Sequence, residues 1–166
     1  MRRHTYALLS AGFALTCCAS AAMSKAPESM PAGDPAVAAK LNEAGYAYRV
    51  DKDGDYAVVI NFKTEKRSQK VFVSSKTNDS QGIKIREVFS FAAQEMKKED
   101  RARLEKLLQE NGRMRIGAWT ILGDYLCFVI QLQGDFSAKD LAGAMSIAAT
   151  AADNKEIEFT GDADKL

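Results

Sequence analysis

Asn111 to Asp153, reading NGRMRIGAWTILGDYLCFVIQLQGDFSAKDLAGAMSIAATAAD, sets the architecture of this 166-residue chain. Met114, Ile116 and Ala118 alternate with Arg115, Gly117 and Trp119, and after a break Leu126, Phe128, Ile130 and Leu132 share one face, so the stretch opens with two strands. Between them Leu122-Gly123-Asp124-Tyr125 suits a two-residue type II′ turn, because Gly takes the first, positive-φ position without a Cβ clash. Tyr125, Cys127 and Val129 make the other side of the second strand apolar too, which places it inside the sheet, covered on both faces. Ser137-Ala138-Lys139-Asp140 then reads as a capping box with Asp in place of Glu. Leu141, Ala144, Met145, Ala148, Ala151 and Ala152 follow at helical spacing, a stripe of mostly small residues that lets a helix lie flat on a sheet.

Upstream, Asp34-Pro35 is a helix start, with Val37, Ala38 and Leu41 to bury and Gly45 as the stop. Tyr46 to Val50 and Tyr56 to Phe62 alternate as strands around the turn Asp51-Lys52-Asp53-Gly54. Asp51, Asp53 and Asp55 do not make a calcium loop, because counting from Asp51 the Gly falls fourth and Phe62 stands where the bidentate Glu is needed. Lys63 to Lys70 reads as a charged connection into a strand Val71 to Ser74, and Asn78 to Gly82 as a polar turn. Ile83 to Phe91 is a further strand or a strand with a bulge, because Glu87 interrupts its apolar face of Ile83, Ile85, Phe89 and Phe91. Glu99 to Glu110 is a helix burying Leu104, Leu107 and Leu108, stopped by Asn111-Gly112, and Ile157 to Phe159 reads as a short final extension. The fold class is α+β: a mainly antiparallel sheet of five or six strands flanked by helices, in the order α-β-β-β(-β)-α-β-β-α.

The first 21 residues read as a signal peptide. Arg2 and Arg3 supply the positive start, Tyr6 to Cys18 the apolar run, and Ala19-Ser20-Ala21 the small residues of a cleavage site, which predicts cleavage after Ala21. An uncleaved anchor is the alternative, although the run falls short of the roughly 20 residues a spanning helix needs. Lipidation of Cys17 or Cys18 is a third, against which the preceding Thr16 or Cys17 stands. Residues 22–33, with Pro27, Pro31 and Gly33, read as a linker to a domain spanning 34–164. Processing leaves no transmembrane segment and predicts a periplasmic or secreted protein.

The processed chain has lost His4, Cys17 and Cys18, so it has no histidine and a single cysteine, Cys127, and cannot form an internal disulfide. Its 23 basic residues fall to 21 against 22 acidic, a net charge of −1 that gives no general electrostatic reason to bind nucleic acid. Without histidine the usual activated nucleophile is missing, and Cys127 in mid-strand reads as a small buried hydrophobe. Zinc or copper sites built on His and Cys are excluded by count, and no glycine run forms a phosphate loop. No catalytic, cofactor or metal residue is therefore assigned. What remains is the carboxylate set Asp153, Glu156, Glu158, Asp162 and Asp164, read as a solvated acidic tail, with a cation-dependent binder or acid/base enzyme as the alternative.

Asn111-Gly112, Gly117-Ala118-Trp119-Thr120-Ile121, Gly123-Asp124, Ala152-Asp153-Asn154-Lys155-Glu156 and Gly161-Asp162, with Asp53-Gly54-Asp55 before a strand, make the chain resemble the bacterial YbjN-domain proteins. The likeness covers Asp34 to Asp164; the signal peptide is a departure from the cytoplasmic relatives. The resemblance implies a fold similar to type III secretion chaperones: a twisted antiparallel sheet with flanking helices, commonly dimeric, binding protein segments and catalysing nothing. YbjN-like proteins are often described as sensory transduction regulators. The expected function is thus an exported, non-enzymatic binding or chaperone-like adaptor of the cell envelope, whose partner is another protein or a second copy. Its docking surface is expected around Trp119 and Tyr125, since aromatic side chains are favoured interface anchors.

Overall fold

The computed structural model describes residues 32–63, 66–94 and 100–161. The expected signal peptide, the expected cleavage site at Ala21, Cys17, Cys18 and nearly all of the expected 22–33 linker lie outside them, as do Glu99, Asp162 and Asp164. Nine elements follow in order: α1 (Pro35–Glu43), β1 (Tyr48–Val50), β2 (Tyr56–Phe62), β3 (Arg67–Ser80), β4 (Ile83–Ala93), α2 (Arg101–Asn111), β5 (Ala118–Leu122), β6 (Tyr125–Gln133) and α3 (Ala138–Thr160). The six strands form one antiparallel sheet in the order β1-β2-β3-β4-β6-β5, so the α+β architecture is as expected.

Local chemistry explains most element ends. Asp34 caps α1 by accepting from Ala36 N at 2.9 Å, with Pro35 at the first helical position, and Gly45 leaves the helix at φ 77°. That start is fixed by tertiary bonds too: Tyr56 Oη donates to the Asp34 carbonyl at 2.8 Å, and Arg86 Nη2 to its carboxylate. Asp51 Oδ1 accepts from the amides of Asp53 and Asp55, both at 2.9 Å, so the aspartate-rich turn is stitched by its own side chain. Gly123 stands at φ 61° while Asp124 is not at positive φ, as a II′ turn requires. The capping box of α3 is complete: Ser137 Oγ accepts from Asp140 N at 3.1 Å and Asp140 Oδ2 from Ser137 N at 2.9 Å.

Among the described residues all three helices lie on one side of the sheet. α3 crosses β3, β4 and β6, α1 packs on α3, and α2 packs on β5. Leu141, Met145, Ala148 and Ala152 close onto Val71, Val73, Val88, Leu126, Phe128 and Ile130, all buried. The small residues of α3 seat the helix flat on the sheet, as the alanine stripe predicts. No described helix is long and apolar enough to cross a membrane.

Beyond the expected turn Asn78 to Gly82, whose first three residues are strand in β3, and Leu108 of α2, which is 72% exposed rather than buried, four local expectations need correction. β3 begins at Arg67, so half of the expected charged connection is strand, and Arg67 and Gln69 sit in phase with Val71 and Val73 on the buried face. β4 keeps the expected phase, but its apolar face turns away from the helices. It presents Arg86, Val88, Ser90 and Ala92 to the helices and puts Ile85, Glu87, Phe89 and Phe91 on the far side. The polar Arg86 and Ser90 hold core positions because they are bonded there, Arg86 to Asp34 and Ser90 Oγ to the Lys70 carbonyl at 2.7 Å. The third correction is at β5, which starts only at Ala118, because Gly117 at φ 75° breaks the strand geometry. Last, α3 runs to Thr160, so the expected terminal extension Ile157 to Phe159 is its final turn.

Candidate functional site

The strand period divides the two aromatic residues expected to form one docking surface. Trp119 pairs with Phe128 and faces the helices, whereas Tyr125 pairs with Leu122 and faces away from them. Trp119 is 7% exposed, its ring edge-on to Phe128 at 5.1 Å between centroids. Asn111 holds its backbone on both sides, accepting from Trp119 N at 2.7 Å and donating to Trp119 O at 3.1 Å. With Leu104, Leu107, Leu108 and Ile121, Trp119 walls an apolar cleft of about 380 Å³ between α2 and β5.

Tyr125 belongs to a different assembly. On the helix-free face, Phe72 pairs with Phe89 across β3 and β4, and Phe91 pairs with Cys127 across β4 and β6. The Phe72 and Phe89 rings stack at 5.2 Å, Phe91 stands edge-on to both at 5.5 and 5.7 Å, and Tyr125 lies 5.2 Å beyond Phe91. The three phenylalanines are half-buried and Tyr125 is exposed, its hydroxyl accepting from Gln94 Nε2 at 3.0 Å. Val59, 54% exposed, and Leu122, 44% exposed, border the cluster. A solvated sheet face ordinarily alternates to polar side chains; here an aromatic cluster takes their place. Sequence reading places Ile85, Phe89 and Phe91 together on one apolar face.

Cys127 lies under this cluster, fully buried, its thiol directed to the Thr120 carbonyl at 3.4 Å. Burial, with the negative charge of Glu87 adding to it, pushes the thiol up to about 12, so it stays protonated at physiological pH.

Of the carboxylates expected as a solvated tail, Asp153 and Glu156 are internal, Glu158 is exposed, and Asp162 and Asp164 lie outside the described residues. Asp153 and Glu156, 3% and 0% exposed, accept from one guanidinium, Arg67 Nε to Asp153 Oδ1 at 2.7 Å and Arg67 Nη2 to Glu156 Oε2 at 3.0 Å. Lys155 donates to both oxygens of Glu110 at 2.9 Å and to Glu158 at 2.8 Å, and Lys106 donates to Glu158 at 2.6 Å. The Lys106 and Lys155 hydrogen bonds hold Glu158 below the usual carboxylate range. Burial acts to lower Lys155, but its bonds to Glu158 and Glu110 outweigh that and leave it raised. These groups tie α2, α3 and the start of β3 together. Among the described residues no three His, Cys, Asp or Glu side chains are placed to share a metal ion.

Comparison with known proteins adds no identity: the sequence matches no family model and no curated protein.

Proposed function

We propose that this chain is an exported, non-enzymatic binding module of the bacterial cell envelope, a chaperone-like adaptor similar to YbjN-domain proteins and serving sensory or stress regulation. The observation that carries the reading is the aromatic cluster Phe72, Phe89, Phe91 and Tyr125 on a sheet face that no described helix covers. Contiguous apolar surface of that kind marks a place where another polypeptide docks, and aromatic side chains supply its anchors. The inert thiol of Cys127 and the pairing of the α3 carboxylates with Arg67 and Lys155 favour a binding role over chemistry.

A photo-crosslinking residue at Lys70, beside the cluster, tests the reading against one at Gln109, exposed on α2. In the native envelope, position 70 is expected to yield one reproducible protein adduct and position 109 none. Phe89→Thr removes the ring and keeps a strand-forming residue, so it should abolish the adduct with the circular dichroism spectrum intact. Equal adducts at both positions, or an adduct indifferent to Phe89→Thr, would refute the docking face. The protein from this preparation is expected to have the mass left by cleavage after Ala21; a diacylglyceryl mass on Cys17 or Cys18 would make it membrane-tethered instead.

A further inference from the structure

The cleft on the helix side of the sheet is apolar and incompletely filled. α2 lends it Leu104, Leu107 and Leu108, β5 lends Trp119 and Ile121, and β6 lends Leu126, around a volume of about 380 Å³. That volume falls toward the lower end of the range of small-molecule sites. Leu107 is 5% exposed, yet Leu108, which lines the same cleft, stays 72% exposed. A helix ordinarily turns its leucines into the core, so Leu108 is apolar surface that a molecule in the cleft would cover.

The polar groups of the wall narrow the chemistry of that molecule. Trp119 Nε1 is buried and has no hydrogen-bond partner, although a buried indole N–H ordinarily has one. The other polar wall residues are already engaged. Asn111 uses both ends of its amide on the Trp119 backbone, and Arg101 Nε donates to Glu105 at 3.0 Å, so the two charges of the wall answer each other. We infer that the cleft binds a small uncharged molecule with an apolar body and one carbonyl, a ketone, ester or lactone, whose oxygen accepts from Trp119 Nε1. A hydrocarbon would fill the walls and leave the donor unsatisfied; an ion would lose its water and meet only paired charges. The cleft and the aromatic cluster lie on opposite sides of the sheet, so this inference stands apart from the docking-face reading.

Titration of the purified full-length protein with propiophenone and with propylbenzene tests this, since the two differ by a carbonyl in place of one methylene. Trp119 is the chain's single tryptophan, so one indole N–H resonance in the NMR spectrum reports on the site. Propiophenone is expected to bind saturably, to move that resonance downfield as a new hydrogen bond does, and to bind about three- to tenfold more tightly than propylbenzene. Trp119→Phe keeps an aromatic wall and removes the donor, so calorimetry should find the two compounds equal. Leu108→Glu places a charge at an exposed wall position and should weaken both at least about tenfold with the circular dichroism spectrum unchanged. Phe89→Thr, on the other side of the sheet, should change neither. Absence of saturable binding, equal affinity of the wild type for both compounds, an unmoved indole resonance, or a carbonyl preference that survives Trp119→Phe each overturns the inference. Binding lost in Phe89→Thr and kept in Leu108→Glu would overturn it too, by placing the compounds on the aromatic face.

Discussion

Arg67→Ala is expected to destabilise the domain by about 3–5 kcal/mol, the cost of breaking a buried ion pair and leaving its charges uncompensated. The guanidinium of Arg67 bonds Asp153 through Nε and Glu156 through Nη2, and both carboxylates are nine-tenths or more buried on one turn of α3. Removing the cation takes away the guanidinium that bridges two buried carboxylates lying side by side. Arg67→Lys should recover only part of the loss, because a single ammonium cannot fork to both carboxylates as the planar guanidinium does. Urea unfolding of the two variants measures this. A loss under about 1 kcal/mol for Arg67→Ala would mean that the cluster behaves as a surface ion pair.

The second large effect is expected at Gly117→Ala. Gly117 stands at φ 75°, and a Cβ there would lie 2.6 Å from Phe128 Cε1 and 2.9 Å from Ile130 Cγ1, inside the core that also seats Trp119. Backbone strain of about 1–2 kcal/mol and overpacking of about 1–3 kcal/mol add to a loss of about 2–5 kcal/mol. Gly143→Ala is the control: Gly143 lies inside α3 with nothing within 4 Å of its added Cβ, so the same substitution should stabilise by about 0.5–1 kcal/mol. Opposite signs in thermal melts would confirm that position rather than residue type decides. A neutral Gly117→Ala would show that Phe128 yields space freely.

Legibility followed the range of the interaction. The II′ turn at Gly123, the Ser137 cap and the Asp34-Pro35 start are settled within four residues, so the sequence alone displays them. Arg67 is bonded to residues 86 and 89 positions away, and nothing near it announces that a charged residue opening a strand is buried. One signal was present: Arg67 and Gln69 continue the period-two phase of Val71 and Val73. In β4 the period shows which residues share a face but not which face meets the helices, because Arg86 and Ser90 occupy core positions while Phe89 and Phe91 carry the strand's apolar weight outward. The C-terminal half of α3 was hidden likewise, since Lys155 and Glu156 read as tail until Glu110 and Arg67 supply their partners. Trp119 and Tyr125 read as one docking surface in the sequence, but pairing through the II′ turn puts them on opposite faces. The aromatic cluster on the helix-free face is not legible for one reason: its rings satisfy the same pattern as a core.

The central claim is that this protein meets other polypeptide through the helix-free face of its sheet. Hydroxyl-radical footprinting tests it most directly, comparing the protein in its native envelope with the same protein purified and diluted. Phe72, Phe89, Phe91 and Tyr125 are expected to be oxidised in the dilute sample and shielded in the envelope. Tyr46 and Phe159, packed against the core, should react equally in both. Equal oxidation of the four face aromatics in both samples, with shielding confined to Phe159, would move the working surface to the helices and contradict the account.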